Sequence, residues 1–171
     1  MYIIDIKQSF ILQLIQGYFY GYHEENLRKR MENYGWNVHN QSFIALEVQL
    51  TGPNDSSDHF SNNDESLVAF VTANIIEEVG QEIFEQFNLI KVSDYSVEML
   101  VIYPDNSSIK DELRYFANIV TGAVNQILKM QVTVTISDST NKVKEIPYLV
   151  EEVRKRKRFR LFENRNQIVD L

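Results

Sequence analysis

LIKVSDYSVEMLVIYP, residues 89–104, decides the fold. Its two parts, 89–93 and 96–103, read as strands, and Asp94–Tyr95 between them is a connection of hairpin length. A hairpin alone suits many folds, so its flanks matter. Upstream, from Glu65 to about Phe84, Leu67, Phe70, Val71, Ile75 and Val79 form one stripe of a predicted helix. Downstream, Ile109, Leu113, Phe116, Val120, Val124 and Ile127 recur at intervals of 4, 3, 4, 4 and 3, an amphipathic helix that Ser107 is placed to cap.

One strand stands outside each helix. In SFIALEVQL (42–50), Ile44, Leu46, Val48 and Leu50 share one face, and Phe43, Ala45, Glu47 and Gln49 the other. QVTVTI (131–136) alternates in the same way. Farther out lie helices over Lys7–Gly17 and Glu24–Tyr34, the second closed by Gly35. A last helix starts near Ile146, and 166–170 reads as a short strand. After two leading helices the order is β-α-β-β-α-β-α-β. Helix-linked strands around one hairpin predict an α/β (α+β) sandwich with a mixed sheet.

The chain has 171 residues, 44% hydrophobic and 12% aromatic, enough for one domain with a sizeable core plus a short flank. No stretch approaches the ~18 consecutive apolar residues of a membrane helix, and the first 20 lack a signal-peptide layout. The expectation is a cytoplasmic segment without membrane contact. Absence of cysteine excludes disulfides, thiolate metal sites and a cysteine nucleophile. His23, His39 and His59 fall in separate segments without ligand-like spacing. The six glycines never cluster after a strand, so there is no phosphate-cradling loop, and neither G-x-S-x-G nor H-E-x-x-H occurs. Residues 51–66 form a polar loop in which Asp55 and Asp58 are most simply solvated.

Net charge is −7, but residues 148–171 carry +3 (seven basic against four acidic), which leaves −10 for the rest. The run RKRKRFR holds Arg154, Lys155, Arg156, Lys157, Arg158 and Arg160. It reads either as a phosphate or partner contact or, more simply, as a solvated helix face whose aliphatic stems cover apolar neighbours. The acidic remainder repels phosphate, so direct nucleic-acid binding is not expected. Glu47 and Glu98 stand among apolar strand neighbours. They are either a divalent-cation or base pair or, in the more ordinary reading, solvent-facing or salt-bridged strand residues. The stripe Phe10–Ile15 fits core packing and a dimer seam equally.

The two ends carry a resemblance. SFILQLIQGYFYGYHEENLRKRMENYGWNV (9–38) before the first strand and EEVRKRKRFRLFENRNQIVDL (151–171) at the close, with the element order between them, resemble the degenerate GGDEF-like central domain of AraC-type bacterial transcription regulators. The resemblance implies connector helices over 1–38 and a nucleotidyl-cyclase-like fold over 39–171. Aligned on the cyclase signature, Tyr95, Ser96, Val97, Glu98 and Met99 occupy its five positions, and only Glu98 matches. Tyr95 and Ser96 replace the two glycines that let backbone approach nucleotide phosphates. Glu47 can stand for one metal-binding carboxylate after the first strand, whereas Gln49 is neutral.

The resemblance therefore implies a non-catalytic relay without cofactor. It would self-associate within a parent dimer, between a sensor or two-component receiver upstream and a helix-turn-helix DNA-binding domain downstream. The alternative, from another class, is a module binding GTP or cyclic di-GMP, or a residual diguanylate cyclase.

Overall fold

β1 (Gln41–Pro53) organises the molecule because residues of both of its faces, Ile44, Leu46 and Val48 on one and Phe43, Ala45 and Glu47 on the other, are buried. A strand buried on both sides belongs in the middle of a sheet. In the computed structural model, which describes residues 6–53, 65–156 and 166–169, β1 pairs antiparallel with β3 (Ser96–Pro104) on one side and β4 (Met130–Thr140) on the other. The hairpin partner β2 (Gln86–Ser93) lies outside β3, and β5 (Gln167–Val169) runs parallel to β4. The order is β2-β3-β1-β4-β5, a five-stranded mixed sheet. Each expected strand is present. β2 begins three residues earlier than the alternation suggested, and β4 extends to Thr140.

One face of the sheet is covered by α3 (Glu65–Ile83) and α4 (Lys110–Leu128), packed on Ile44, Leu46, Val48 and Leu50. The other is covered by α1 (Ile6–Ile15), α2 (Glu24–Asn33) and α5 (Ile146–Arg156), packed on Phe43 and Ala45 of β1 and on Leu100 and Ile102 of β3. Phe10, Ile11 and Leu14 are spent on this second core, which answers the choice left open for the first helix. Gly35, at φ +101°, ends α2 and turns the chain toward Trp36. The Trp36 indole N–H donates to Asn88 Oδ1 at 3.0 Å and ties that turn to β2. No described helix is long and apolar enough to cross a membrane.

Three local expectations are corrected. α3 buries Val68, Thr72, Ile75, Ile76 and Gly80, whereas Leu67 and Phe70 are 50% and 62% exposed. The buried arc is rotated from the expected stripe because Gly80, not a large residue, meets the sheet. A Cβ there would lie 2.8 Å from Phe87 Cζ. In α4 the last buried position is Leu128, not Ile127; the helix closes at Lys129, left-handed at φ +56°. Ser107 does not cap α4. Its hydroxyl donates to Pro104 O at 2.9 Å, and Ile109 holds the cap position without a side-chain bond.

A polar row across the sheet beneath the end of the last helix

On the side of α1, α2 and α5, the sheet changes character along its strands. Phe43, Ala45, Leu100 and Ile102 are followed, toward the Asp94–Tyr95 turn, by Glu47, Gln49, Glu98 and Ser96. Register places Lys91 of β2 opposite Glu98, Glu98 opposite Glu47, and Glu47 opposite Thr135 of β4. The next row is polar in all five strands: Ser93, Ser96, Gln49, Thr133 and Gln167. Glu47, Thr133 and Thr135 are almost completely buried, and Glu98 is 7% exposed. The hydroxyls of Thr51, Thr133 and Thr135 and Oε1 of Gln131 are buried with no hydrogen-bond partner among the described residues.

α5 reaches this row through Arg154. Its Nε and Nη2 donate to Glu98 Oε1 and Oε2 at 3.3 and 3.2 Å, a forked pair half open to solvent on the arginine side. Glu47 and Glu98, whose proximity could not be read from the sequence, thus face each other, and Glu98 is salt-bridged. Among the described residues no group of three or more histidines or carboxylates could hold a metal ion.

The five signature positions separate. Val97 and Met99 point into the core shared with α3 and α4. Tyr95 stands in the turn, where its carbonyl accepts from the Leu50 amide at 2.8 Å and its hydroxyl donates to Glu65 Oε1 at 3.4 Å. Burial and then the Glu65 charge hold the Tyr95 phenol above its ordinary range. Ser96 Oγ lies 2.9 Å from Ser93 Oγ. Neither Tyr95 nor Ser96 takes a positive φ, so this turn makes no use of the freedom a glycine would bring.

The described half of the basic run is engaged within the molecule. Arg156, 9% exposed, donates to Ile136 O, to Asp138 Oδ1 at 2.9 Å and to Glu152 Oε1 at 2.8 Å. The Arg156 hydrogen bond lowers the Asp138 carboxyl below its ordinary range, while burial raises that of Glu152. Lys155 pairs with Glu151 one turn back, at 3.1 Å. Lys157, Arg158 and Arg160 lie outside the described residues, as do Asp55, Asp58 and His59. His23 holds the N-cap position of α2, and His39 Nε2 lies 3.1 Å from Asn40 Nδ2, far from forming a ligand set.

Sequence reasoning missed Glu24. Its Oε2 accepts from Arg28 Nε at 2.9 Å and from the Val143 amide at 2.8 Å, and its Oε1 accepts from the Lys144 amide at 3.0 Å. Val143–Glu145 is the 3₁₀ turn that leads into α5, so one carboxylate of α2 caps the entry of another helix. Arg28 completes the clasp by donating to Val38 O at 2.8 Å and to Asn141 O. Only the place of Glu24 in the first turn of a predicted helix was visible beforehand. No family model matches the chain, and no curated protein matches it.

Proposed function

We propose that the chain is a non-catalytic, cytoplasmic signal-relay domain of an AraC-type transcription regulator. It couples an upstream sensor or receiver to a downstream helix-turn-helix DNA-binding domain. The observation that carries this reading is how α5 is held. Glu24 of α2 grips its entry, and Arg154 and Arg156 fasten its end to Glu98, Asp138 and Ile136 O. A displacement of α1 and α2 that withdraws Glu24 uncovers two amides at that entry. It loosens the helix whose far end leads toward the C-terminus. The strand order and the replacement of both signature glycines by Tyr95 and Ser96 support the same reading. So does the use of Glu98 in an ion pair rather than at an open site.

Two measurements test it. Sequencing the gene across both ends of this segment is expected to reveal a helix-turn-helix coding region beyond Leu171, and a stop codon directly after it overturns the proposal. In the full-length regulator, Glu24→Ala is expected to blunt signal-dependent transcription of a reporter while DNA affinity stays unchanged. An unaltered response rejects the role given to α5.

The buried hydroxyls of Thr133 and Thr135 beside Glu47 favour a second reading, a module that binds GTP or cyclic di-GMP. Calorimetry with each nucleotide and Mg²⁺ separates the two. A dissociation constant tighter than about 10 µM, roughly −7 kcal/mol, replaces the relay reading with ligand binding. Absence of heat at millimolar nucleotide removes this second reading.

A further inference from the structure

β4 pairs with β1 from Met130 to Thr140, but with β5 only from Thr133 to Thr135. Along a strand the backbone groups of alternate residues face opposite neighbours, so the even-numbered residues of β4 turn their amides and carbonyls away from β1. Side chains, more than a strand, meet that outer edge. Asn125 Nδ2 donates to Met130 O at 2.6 Å, and the Val132 amide donates to Asn166 Oδ1 at 2.8 Å. Beyond β5, Arg156 donates to Ile136 O, and the Asp138 amide donates to Glu152 Oε2 at 3.0 Å. Val134, opposite Ile168, falls to β5.

β5 is held lightly. It is three residues long, at the short end for a strand, and lies at the edge of the sheet. Its first hold is Asn166, which exchanges amide hydrogen bonds with Asn125 of α4 at 2.9 and 3.1 Å besides accepting from Val132. Its second is apolar: Val169 is buried, and Ile168 is half-buried against the core shared with α3 and α4. Against these holds stands a penalty. Thr133 and Thr135, the register partners of Gln167 and Val169, have hydroxyls buried with no hydrogen-bond partner among the described residues. Each is stripped of hydration while β5 is closed and recovers it when water enters beside β4.

From these features we infer that β5 is a releasable strap: residues 166–169 lift from β4 and return while the four antiparallel strands stay paired. Opening bares the backbone groups of Val132 and Val134, an edge that an extended peptide can pair with, and it frees Ile168 and Val169. A partner that takes up residues 166–169 therefore competes with β4 for them. The strap needs no domain before or after this chain, so it does not rest on the relay reading.

Hydrogen exchange of the full chain, followed residue by residue by NMR, tests the strap, because neighbouring amides of β4 face opposite sides. Those of Thr133 and Thr135 face β1 and report opening of the sheet; those of Val132 and Val134 face outward and report opening of the strap. Val132 and Val134 are expected to exchange at least about 100-fold faster than Thr133 and Thr135. Asn166→Ala should speed Val134 by about a further tenfold and leave Thr133 and Thr135 unchanged. Thr133 and Gln167 are neighbours in register, about 5 Å apart, a separation that a disulfide spans. The chain has no cysteine of its own, so Thr133→Cys with Gln167→Cys, once oxidised, closes a single lock. The lock should slow Val134 by at least about tenfold, and reduction should restore its rate. Equal protection of all four amides in the parent protein overturns the proposal. So does an Asn166→Ala variant that leaves Val134 unchanged or speeds all the amides alike, or a lock that forms without slowing Val134.

Discussion

Glu47 and Glu98 stand directly opposite each other across β1 and β3, each more than nine-tenths buried, and Arg154 forks onto Glu98 alone. Like charges in that position repel, so the cation and the second carboxylate act on Glu98 with opposite sign. Arg154→Met keeps the apolar stem but leaves the two carboxylates without this cation, and a loss of about 1–3 kcal/mol is expected. Glu98→Gln removes one of the like charges and leaves a half-exposed arginine to water, so it should cost less than about 1 kcal/mol. Urea midpoints of the two variants decide the matter. A greater loss for Glu98→Gln would mean that the ion pair outweighs the repulsion.

Arg156 is held more deeply. Its three acceptors, Ile136 O, Asp138 and Glu152, surround a side chain that is 11% exposed. Truncation leaves a buried carbonyl and a half-buried carboxylate without their donor. Arg156→Ala should therefore destabilise by about 2–4 kcal/mol. Arg156→Met, which keeps the packing of the stem, should recover part of that loss. Equal losses in the two variants would show that the stem contributes nothing.

The carboxylates around Arg156 give opposite pH dependences. Asp138 titrates below its ordinary value, so its contribution is present above the unfolded value of about 3.9 and is lost as pH falls through the lower folded one. Glu152 titrates above its ordinary value, so its contribution is full below about 4.3 and is lost as pH rises through the raised folded value. The stability gap between the parent protein and Asp138→Asn should narrow from pH 5 to pH 3, by a few tenths of a kcal/mol at this exposed carboxylate. Glu152→Gln should gain on the parent as pH rises from about 4 to 6. Denaturant midpoints at several pH values test both slopes, and a gap independent of pH would contradict the shifts.

Gly80 sets helix propensity against packing. Alanine gains about 1 kcal/mol over glycine in a helix, but a methyl here falls 2.8–3.0 Å from three carbons of the Phe87 ring. Overpacking of that kind costs about 1–3 kcal/mol, so Gly80→Ala should lower thermal stability by a few degrees. In a Phe87→Leu background the same change should raise it. If Gly80→Ala is stabilising in both backgrounds, the ring yields without cost.

How much was legible beforehand follows from the range over which each feature is decided. The strands, their succession along the chain and the alternation of β1 are properties of neighbouring residues, because a period of two or 3.6 is written within ten positions. Gly35 as the end of α2 is equally local. By itself, then, the sequence determined the mixed α/β architecture and showed Glu47 and Glu98 to be carboxylates in apolar company. Only the tertiary structure decided that they face each other, because register belongs to a pair of strands and not to either one. It also decided which edge of each helical arc is buried, leaving Leu67, Phe70 and Ile127 outside, since that depends on the surface the helix meets. Arg154 found Glu98 56 positions away, and Glu24 found the Val143 amide 119 positions away. Such pairings are set by the packing of whole elements, and no local period encodes them.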